Sequence, residues 1–327
     1  MFKKLIVSAI LIVVVGYFGA KFYIQYKAKE VVDQVIAGIP GGVSVNYDSV
    51  TSTASGELSV DDIVVQLPEY RDEFLIDAIG LDFPSFFDVL GLQKLPSKIM
   101  SGSAEVPEKL GFFIEGFQLD TNADYVTAWT QQWNTLMAES GQSTPTLEED
   151  PVMHCLGKFS GINMINALGK STLDVSLGYD FEQLENSFQV GFDFNMEDIY
   201  EMTVTMELEG RAAYLIGNPN PRLVLVGFEM LWVDRAYMDA VYKQCEQLGV
   251  DRDTAKAGYL SAFLSTLEAS SFVPDERLID PIRKGIEAEH RTWRVVGEPP
   301  SPVDLAQIRF HKPEDMPALL GVDVESQ

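Results

Sequence analysis

The chain opens with an apolar run and then alternates between hydrophobic and polar positions over most of its length. Residues 5–20 carry no charge, and with the snorkelling Lys21 the run continues through Ile24. As a helix rising about 1.5 Å per residue, residues 5–24 span about 30 Å, the thickness of a bilayer's hydrocarbon core. The pattern therefore predicts one transmembrane helix.

A cleaved signal peptide is the alternative interpretation, because a short basic start and an apolar stretch are common to both. Cleavage after Ala20 would put bulky Phe18 at the minus-three position, where a small residue is needed, which leaves cleavage after Gly16. An uncleaved anchor is favoured. Lys3 and Lys4 favour a cytoplasmic N-terminus, although three lysines follow the helix. The expected location is the inner (cytoplasmic) membrane, single-pass, with the domain in the periplasm.

Beyond the anchor, the alternation is that of strands that bury one face. The anchor and the start of a helical stalk occupy residues 1–30, and the stalk is expected to stop at Pro40-Gly41-Gly42. Residues 31–140 form a first β-rich half, in which Asn122 is the expected N-cap of a helix over 123–139. The strands expected in this half cover residues 43–47, 58–67, 74–83 and 110–119, with a bulge near Gly116.

Residues 141–158 are expected to form a loop, and residues 159–327 a second β-rich half that ends in helices. Its strands are expected at 173–181, 188–196, 202–208 and 223–232, and its helices at 235–248, 252–268, 275–290 and 313–320. Consecutive strands joined by local turns pair antiparallel, as a meander. The predicted fold class is α+β: a long antiparallel β-sheet, flat or curled, with packed helices, preceded by the transmembrane helix. One continuous domain over 40–327 is the alternative to two halves.

The apolar face of such a sheet must be covered. Helices are the default cover, and a groove that takes acyl chains or another apolar ligand is the alternative. The candidate lipid-facing residues lie on two adjacent strands of the second half: Leu173, Val175, Leu177, Phe188, Val190, Phe192 and Phe194.

Charge narrows the choice of partners. Five of the 24 Lys and Arg lie in residues 1–30 beside one acidic residue, which leaves 19 basic and 48 acidic residues and a formal charge of −29 in residues 31–327. Such a field repels nucleic acid, so no nucleic-acid partner is expected. Solubility is the simplest reason for the charge, and contact with cationic partners or divalent ions is the other.

The chain contains two cysteines, Cys155 and Cys245. In an oxidising compartment they are candidates for a disulfide that closes a long loop. Two separate buried thiols are the alternative.

Motifs for catalysis and metal binding are missing from the sequence. It has no HExxH pattern and no Cys-x-x-Cys pair, and its acidic pairs lack EF-hand spacing. Gly169-Lys170-Ser171-Thr172 mimics the end of a phosphate loop, but Met164 stands where the first glycine belongs. No catalytic, cofactor-binding or metal-binding residue is therefore predicted, and the protein is expected not to be an enzyme. A carboxylate-dependent hydrolase is the enzymatic alternative.

One resemblance adds to this picture. A lysine-led anchor, a short stalk, then Val43-Ser-Val-Asn-Tyr47 and Gly56-Glu-Leu-Ser-Val-Asp-Asp-Ile-Val64 resemble the opening of AsmA-like envelope proteins. The YdgA-like single-pass proteins of proteobacteria are similar in anchor, size and repeated strands. The resemblance covers mainly residues 1–80. It implies an inner-membrane anchor, a periplasmic β-rich domain and, for the AsmA-like group, a part in outer-membrane lipid homeostasis through an apolar groove.

Together these patterns lead to two hypotheses about function. The first is a non-enzymatic, membrane-anchored envelope protein that binds or escorts an apolar ligand such as lipid. The second is a structural or adaptor domain that binds another envelope protein. The expected partners are thus the cytoplasmic membrane bilayer together with a lipid or a protein.

Overall fold

The computed structural model describes residues 2–39, 42–53, 55–68, 70, 72–85, 88–89, 108–139, 152, 154–155, 168–211, 222–269, 276–287 and 289–327. The side chains at positions 2–18, 130, 133–134, 136–139, 266–269 and 313 lie outside this description.

The long helices and strands follow one another in the predicted order, and several short elements add to them. In chain order they are α1 (Phe2–Ala37), β1 (Ser44–Asn46), β2 (Ser49–Ser52), β3 (Glu57–Gln66), β4 (Glu73–Asp82), β5 (Lys109–Asp120), α2 (Asp124–Glu139), β6 (Thr172–Gln183), β7 (Ser187–Met196), β8 (Tyr200–Glu209), β9 (Val224–Asp234), α3 (Tyr237–Gln247), α4 (Arg252–Ala269), α5 (Glu276–Ile286), β10 (Thr292–Gly297), β11 (Val303–Asp304), α6 (Leu305–Ile308), a 3-10 turn (Pro313–Asp315), α7 (Met316–Leu320) and β12 (Val322–Ser326).

The strands of the described residues form one open sheet of 12 strands. The order across it is β1-β3-β4-β5-β6-β7-β8-β9-β10-β12, with β2 paired to β3 and β11 paired to β9. Neighbours in the sheet are mostly neighbours in sequence, and their pairing is antiparallel. The predicted α+β class with a long antiparallel sheet and helices is confirmed.

The predicted transmembrane helix falls within α1, a continuous helix of 36 residues. In the part of the chain that the structure describes, no helix combines the length and the apolar character needed to cross a membrane. Most of the predicted span, residues 5–18, has side chains outside the description.

Contacts along the chain define two compact units, unit 1 (Met1–Glu115) and unit 2 (Gly116–Gln327). The boundary falls inside β5, at Gly116, the residue near which the sequence predicts a bulge. The φ of Gly116 is 61°. The predicted division at 141–158 stays a prediction, because most of that loop lies outside the described residues.

One buried cluster of unit 1 lies at one end of its strands, where Ile24 of α1 meets Phe83 and Val89. The turn between β2 and β3 depends on Gly56, which has a φ of 108°. A Cβ there would lie 2.5 Å from the carbonyl oxygen of Phe83, so only glycine fits without a shift of the backbone.

Unit 2 has two buried clusters around α3. The first joins Leu173 and Val175 of β6 to Ile199 and to Ala240 of α3. The second lies on the far side of α3, where Val241, Tyr242 and Cys245 pack with Val250 and Ala255. Helix α3 therefore packs against the sheet on one side and against α4 and the end of α5 on the other.

Candidate functional site

The candidate site is a set of apolar side chains that cross the sheet of unit 2 in rows. Antiparallel register places partners on the same face, so each row runs perpendicular to the strands. One row consists of Tyr179, Phe192, Val204 and Met230, and the next of Phe181, Val190, Met206 and Phe228. We call these eight residues the apolar band.

The middle of the apolar band is open to solvent. Tyr179 is 48% exposed, Phe192 37% and Met206 38%. Phe181 is buried, and the other four side chains of the band are half-buried. Because every side chain in the band lacks a charge, the band is an uncharged apolar surface on an otherwise acidic chain.

The two ends of the same face are closed. Beyond one edge of the band, Leu173 and Val175 are buried beneath α3. Beyond the other edge, Phe188, Leu208 and Leu225 are buried. The open surface is therefore a strip across the strands, bounded by packed side chains at both ends.

The seven predicted lipid-facing residues are divided by this arrangement. Leu173, Val175 and Phe188 are buried and do not face an open surface. Leu177 and Phe194 are half-buried in the row beside the band, and Val190 and Phe192 belong to the band itself. The predicted set omits Tyr179 and Met206, the two most exposed members of the band. Alternation places both on the apolar face, but it does not show which positions a helix will cover.

Aromatic stacking forms the boundary between the covered end and the band. The ring of Tyr200 lies 4.5 Å from that of Trp232, with 6° between the planes. Phe194 stacks on the other side of Tyr200 at 5.3 Å, and Tyr237 of α3 meets Trp232 edge-on. Burial raises the pKa of the Tyr200 and Tyr237 hydroxyls, so both stay protonated and the boundary stays neutral.

The opposite face of the same strands carries acidic side chains. Asp180 lies opposite Gly191 and Asp193 lies opposite Gly178, so each carboxylate has a glycine across from it. A Cβ on Gly191 would lie 2.0 Å from Oδ1 of Asp180. The two faces therefore differ in charge as well as in polarity, which keeps the acidic side chains away from the apolar band.

A group of charged side chains fixes the start of α3. Asp234 accepts hydrogen bonds from the backbone N–H of Tyr237 at 2.7 Å and of Met238 at 3.3 Å. Its fully buried carboxylate also forms an ion pair with Arg291, with 3.4 Å between Nη1 and Oδ2. Arg291 forms a second ion pair with Asp239, with 2.8 Å between Nη2 and Oδ2. Burial raises the pKa of Asp234, while the two amides and Arg291 oppose that rise. These contacts stabilise the helix that covers the end of the band.

The predicted disulfide between Cys155 and Cys245 is present, with its Cα atoms 5.2 Å apart. Both residues are buried in the cluster on the far side of α3. The bond therefore attaches a distant part of the chain to the helix that closes one end of the band.

Across the described ranges, no group of three or more His, Cys, Asp or Glu side chains is placed to hold a metal ion. The arrangement is suited to contact with an apolar molecule.

No protein-family model matches the chain, and no curated protein matches it.

Proposed function

We propose that the protein is a non-enzymatic, membrane-anchored envelope protein that binds or escorts an apolar ligand, such as a lipid, in the periplasm. The observation that supports this function is the apolar band, in which Tyr179, Phe192 and Met206 remain exposed between two closed ends. Exposed apolar surface that is bounded in this way is typical of interaction sites.

The dimensions of the band suit a single apolar chain. The band crosses four strands, β6 to β9, and neighbouring strands lie about 4.8 Å apart, so each of its rows extends about 14 Å. One leaflet of a bilayer's hydrocarbon core is about 15 Å thick, half of the full 30 Å. Contact with such a chain gains about 25 cal/mol for each Å² of apolar surface that leaves water.

The anchor is part of the same proposal. The apolar run 5–24 lies in the continuous helix α1, which is long enough to include both a span and a stalk. The resemblance to AsmA-like and YdgA-like envelope proteins supports the same placement, with the N-terminus in the cytoplasm and the domain in the periplasm.

The test uses quenching of tryptophan fluorescence in the full-length chain. Trp232 lies one row from the band, so a stearic acid with a nitroxide on its acyl chain should quench its emission on binding. Phe192→Glu places a charge in the band, and we expect it to weaken binding at least about tenfold, equal to about 1.4 kcal/mol. Phe192 is partly exposed, so the variant should keep its fold.

The matched control is Asp193→Asn, which changes the next residue on the opposite face. We expect its affinity for the nitroxide lipid to equal that of the unchanged protein. Organic extraction of the purified chain followed by mass spectrometry should recover bound lipid. Absence of both quenching and extracted lipid would contradict the proposal.

A structural or adaptor role is the second candidate, and the composition of the band favours it. Tyr, Phe and Met are enriched in the cores of protein interfaces. A photo-crosslinking residue at position 179 should then give one dominant protein adduct in intact membranes, with no lipid extracted. Lipid adducts at the same position would favour the first function.

A further inference from the structure

Helix α1 contacts the rest of unit 1 at two separate places. At the first, Ile24 is 5% exposed and packs with Phe83 and Val89, and Ala20 packs against the same cluster. The other side chains in this contact are three leucines, Leu58, Leu81 and Leu110. These leucines lie at the start of β3, the end of β4 and the start of β5, which is one common end of the three strands.

The second contact lies at the other end of β3. The hydroxyl of Tyr47 donates a hydrogen bond of 2.6 Å to Asp33 of α1. Burial, as the larger cause, and the hydrogen bond to Asp33, as the smaller, raise the pKa of Tyr47 to about 12. The hydroxyl therefore keeps its proton and remains a donor. A groove of about 430 Å³ between α1 and β1 is lined by Asp33, Ile36 and Asn46 among others. Strand β1 pairs with the 64–66 end of β3.

These two contacts set the direction of α1 relative to the strands. From Ile24 to Ile36 the helix rises about 18 Å at 1.5 Å per residue. From Leu58 to Val64 the strand rises about 20 Å at 3.3 Å per residue. The two lengths agree, so α1 runs alongside β3 and in the same direction, from the Leu58 end of the strand towards the Val64 end.

The exposed side of α1 at the first contact is aromatic. Phe22 is 79% exposed, Tyr23 52% and Tyr26 65%. They follow the charge-free run 5–20 and Lys21, and the ion pair Lys27–Glu30 comes after them. Aromatic side chains in this position, between an apolar run and a charged segment, are typical of the interface between a bilayer and water.

Packing also limits how far lipid can enclose α1. The strand ends cover Ala20 and Ile24, so acyl chains can surround the whole circumference of the helix only before residue 20. A span that ends there has 15 residues if it starts at Leu5 and 18 if it starts at Phe2. Only the longer span falls within the usual range of about 17–25 residues for transmembrane helices. The strand ends must then lie at the bilayer surface.

We infer that unit 1 contacts the surface of a phospholipid bilayer through one end of its strands, so that β3, β4 and β5 run parallel to the membrane normal. The end marked by Leu58, Leu81 and Leu110 rests on the bilayer surface, and Phe22, Tyr23 and Tyr26 lie in the interface beside it. This orientation rests on the proposed anchor and goes beyond it. It makes this end of the sheet the part of unit 1 that a lipid would meet on leaving the membrane.

The test measures energy transfer from single labelled sites to the membrane surface. The full-length chain is reconstituted in phosphatidylcholine vesicles with a headgroup-labelled acceptor lipid. Cysteine is introduced at exposed positions by Ser55→Cys, near the surface end, Asp62→Cys, in mid-strand, or Glu73→Cys, at the far end. Cys155 and Cys245 are bonded to each other, so only the introduced thiol takes the donor dye.

Transfer should fall in the order Ser55, Asp62, Glu73. Residues 57 to 66 of β3 extend about 30 Å at 3.3 Å per residue, so the outer two donors should differ by about that distance from the surface. A nitroxide at Tyr26→Cys should contact both lipid and water, and one at Val35→Cys should contact water alone.

Two other outcomes would overturn the inference in distinguishable ways. Equal transfer from all three sites in membrane-retained protein would mean that the strands lie along the membrane plane, and the anchor would stand. Release of the whole chain from the vesicles by alkaline carbonate would remove the anchor and the orientation together.

Discussion

Replacing both cysteines, Cys155→Ala with Cys245→Ala, should lower the free energy of unfolding by about 4–5 kcal/mol. The two residues are 90 positions apart, and a cross-link over a loop of that length restricts the unfolded chain by this amount in the chain-entropy model. The half-cystines are also buried against Met238 and Val241, so the variant loses packing around α3. Chemical denaturation followed by circular dichroism measures the loss.

Reduction provides the control for this double variant. A thiol reductant should lower the denaturation midpoint of the unchanged protein towards that of the variant, and it should leave the variant's own midpoint unaltered. Alanine is used because a serine hydroxyl would enter a buried apolar cluster without a partner and add a penalty of its own. A loss below 1 kcal/mol would show that the bond does little to hold the segment around Cys155 against α3.

The regular strands and long helices follow from local sequence. On β7, every second residue is apolar, as Phe188, Val190 and Phe192 show. Strands β6 and β8 alternate in the same way, and short turns join the three strands, so each pairs antiparallel with its neighbour in sequence. Helix α4 begins at its predicted first residue, Arg252. Asp251 caps it by accepting a hydrogen bond from the N–H of Thr254 at 3.0 Å. These features depend on residues a few positions apart, which a single sequence contains in full.

Short edge elements are harder to predict. Strand β12 has five residues, and its position beside β10 depends on the left-handed turn at Gly321. Strand β11 has two residues and is identified only by its pairing with β9. Neither run is long enough for its alternation to differ from chance.

The candidate site was only partly predictable from the sequence. Which apolar strand residues a helix buries depends on tertiary contacts between residues far apart in the chain. The alternation of Leu173, Val175 and Leu177 does not reveal that Ala240, more than sixty residues later, covers the first two. The start of α3 is determined in the same non-local way. Asp234 is the last residue of β9 and accepts hydrogen bonds from the first backbone amides of α3. It also pairs with Arg291, which lies 57 positions later.

Replacing that arginine, Arg291→Met, should lower the free energy of unfolding by about 2–3 kcal/mol at neutral pH. Loss of one partner from a buried ion pair costs about 3–5 kcal/mol because the other charge stays buried. The cost here should be smaller, since the Arg291 side chain is 39% exposed and the two backbone amides still bind Asp234. Methionine keeps much of the side chain's apolar volume, so the change mainly removes the charge.

The loss should depend on pH, with a sign that follows from two carboxylates. Burial raises the pKa of Asp234 above its unfolded value, so the penalty for its charged form is absent at low pH and grows as pH rises through the folded pKa. Without Arg291 that pKa rises further. Burial alone would also raise the pKa of Asp239, but its bonds to Arg252 and Arg291 outweigh burial and hold it below its usual range. The stability from Asp239 is present above the unfolded pKa of about 3.9 and is lost as pH falls through the folded pKa.

Because of both effects, the free energy of unfolding should differ most between the Arg291→Met variant and the unchanged protein near pH 7. The difference should be smaller towards pH 4. Thermal unfolding at several pH values measures this difference. Arg235→Met is the matched control, because Arg235 pairs with Glu201 at 2.8 Å with both side chains exposed. Exposed pairs of this kind contribute about 0–1 kcal/mol, so the control should lose little stability at any pH. If the two variants lost the same amount at pH 7, the buried carboxylate of Asp234 would not depend on Arg291, and the start of α3 would be held by the backbone amides alone.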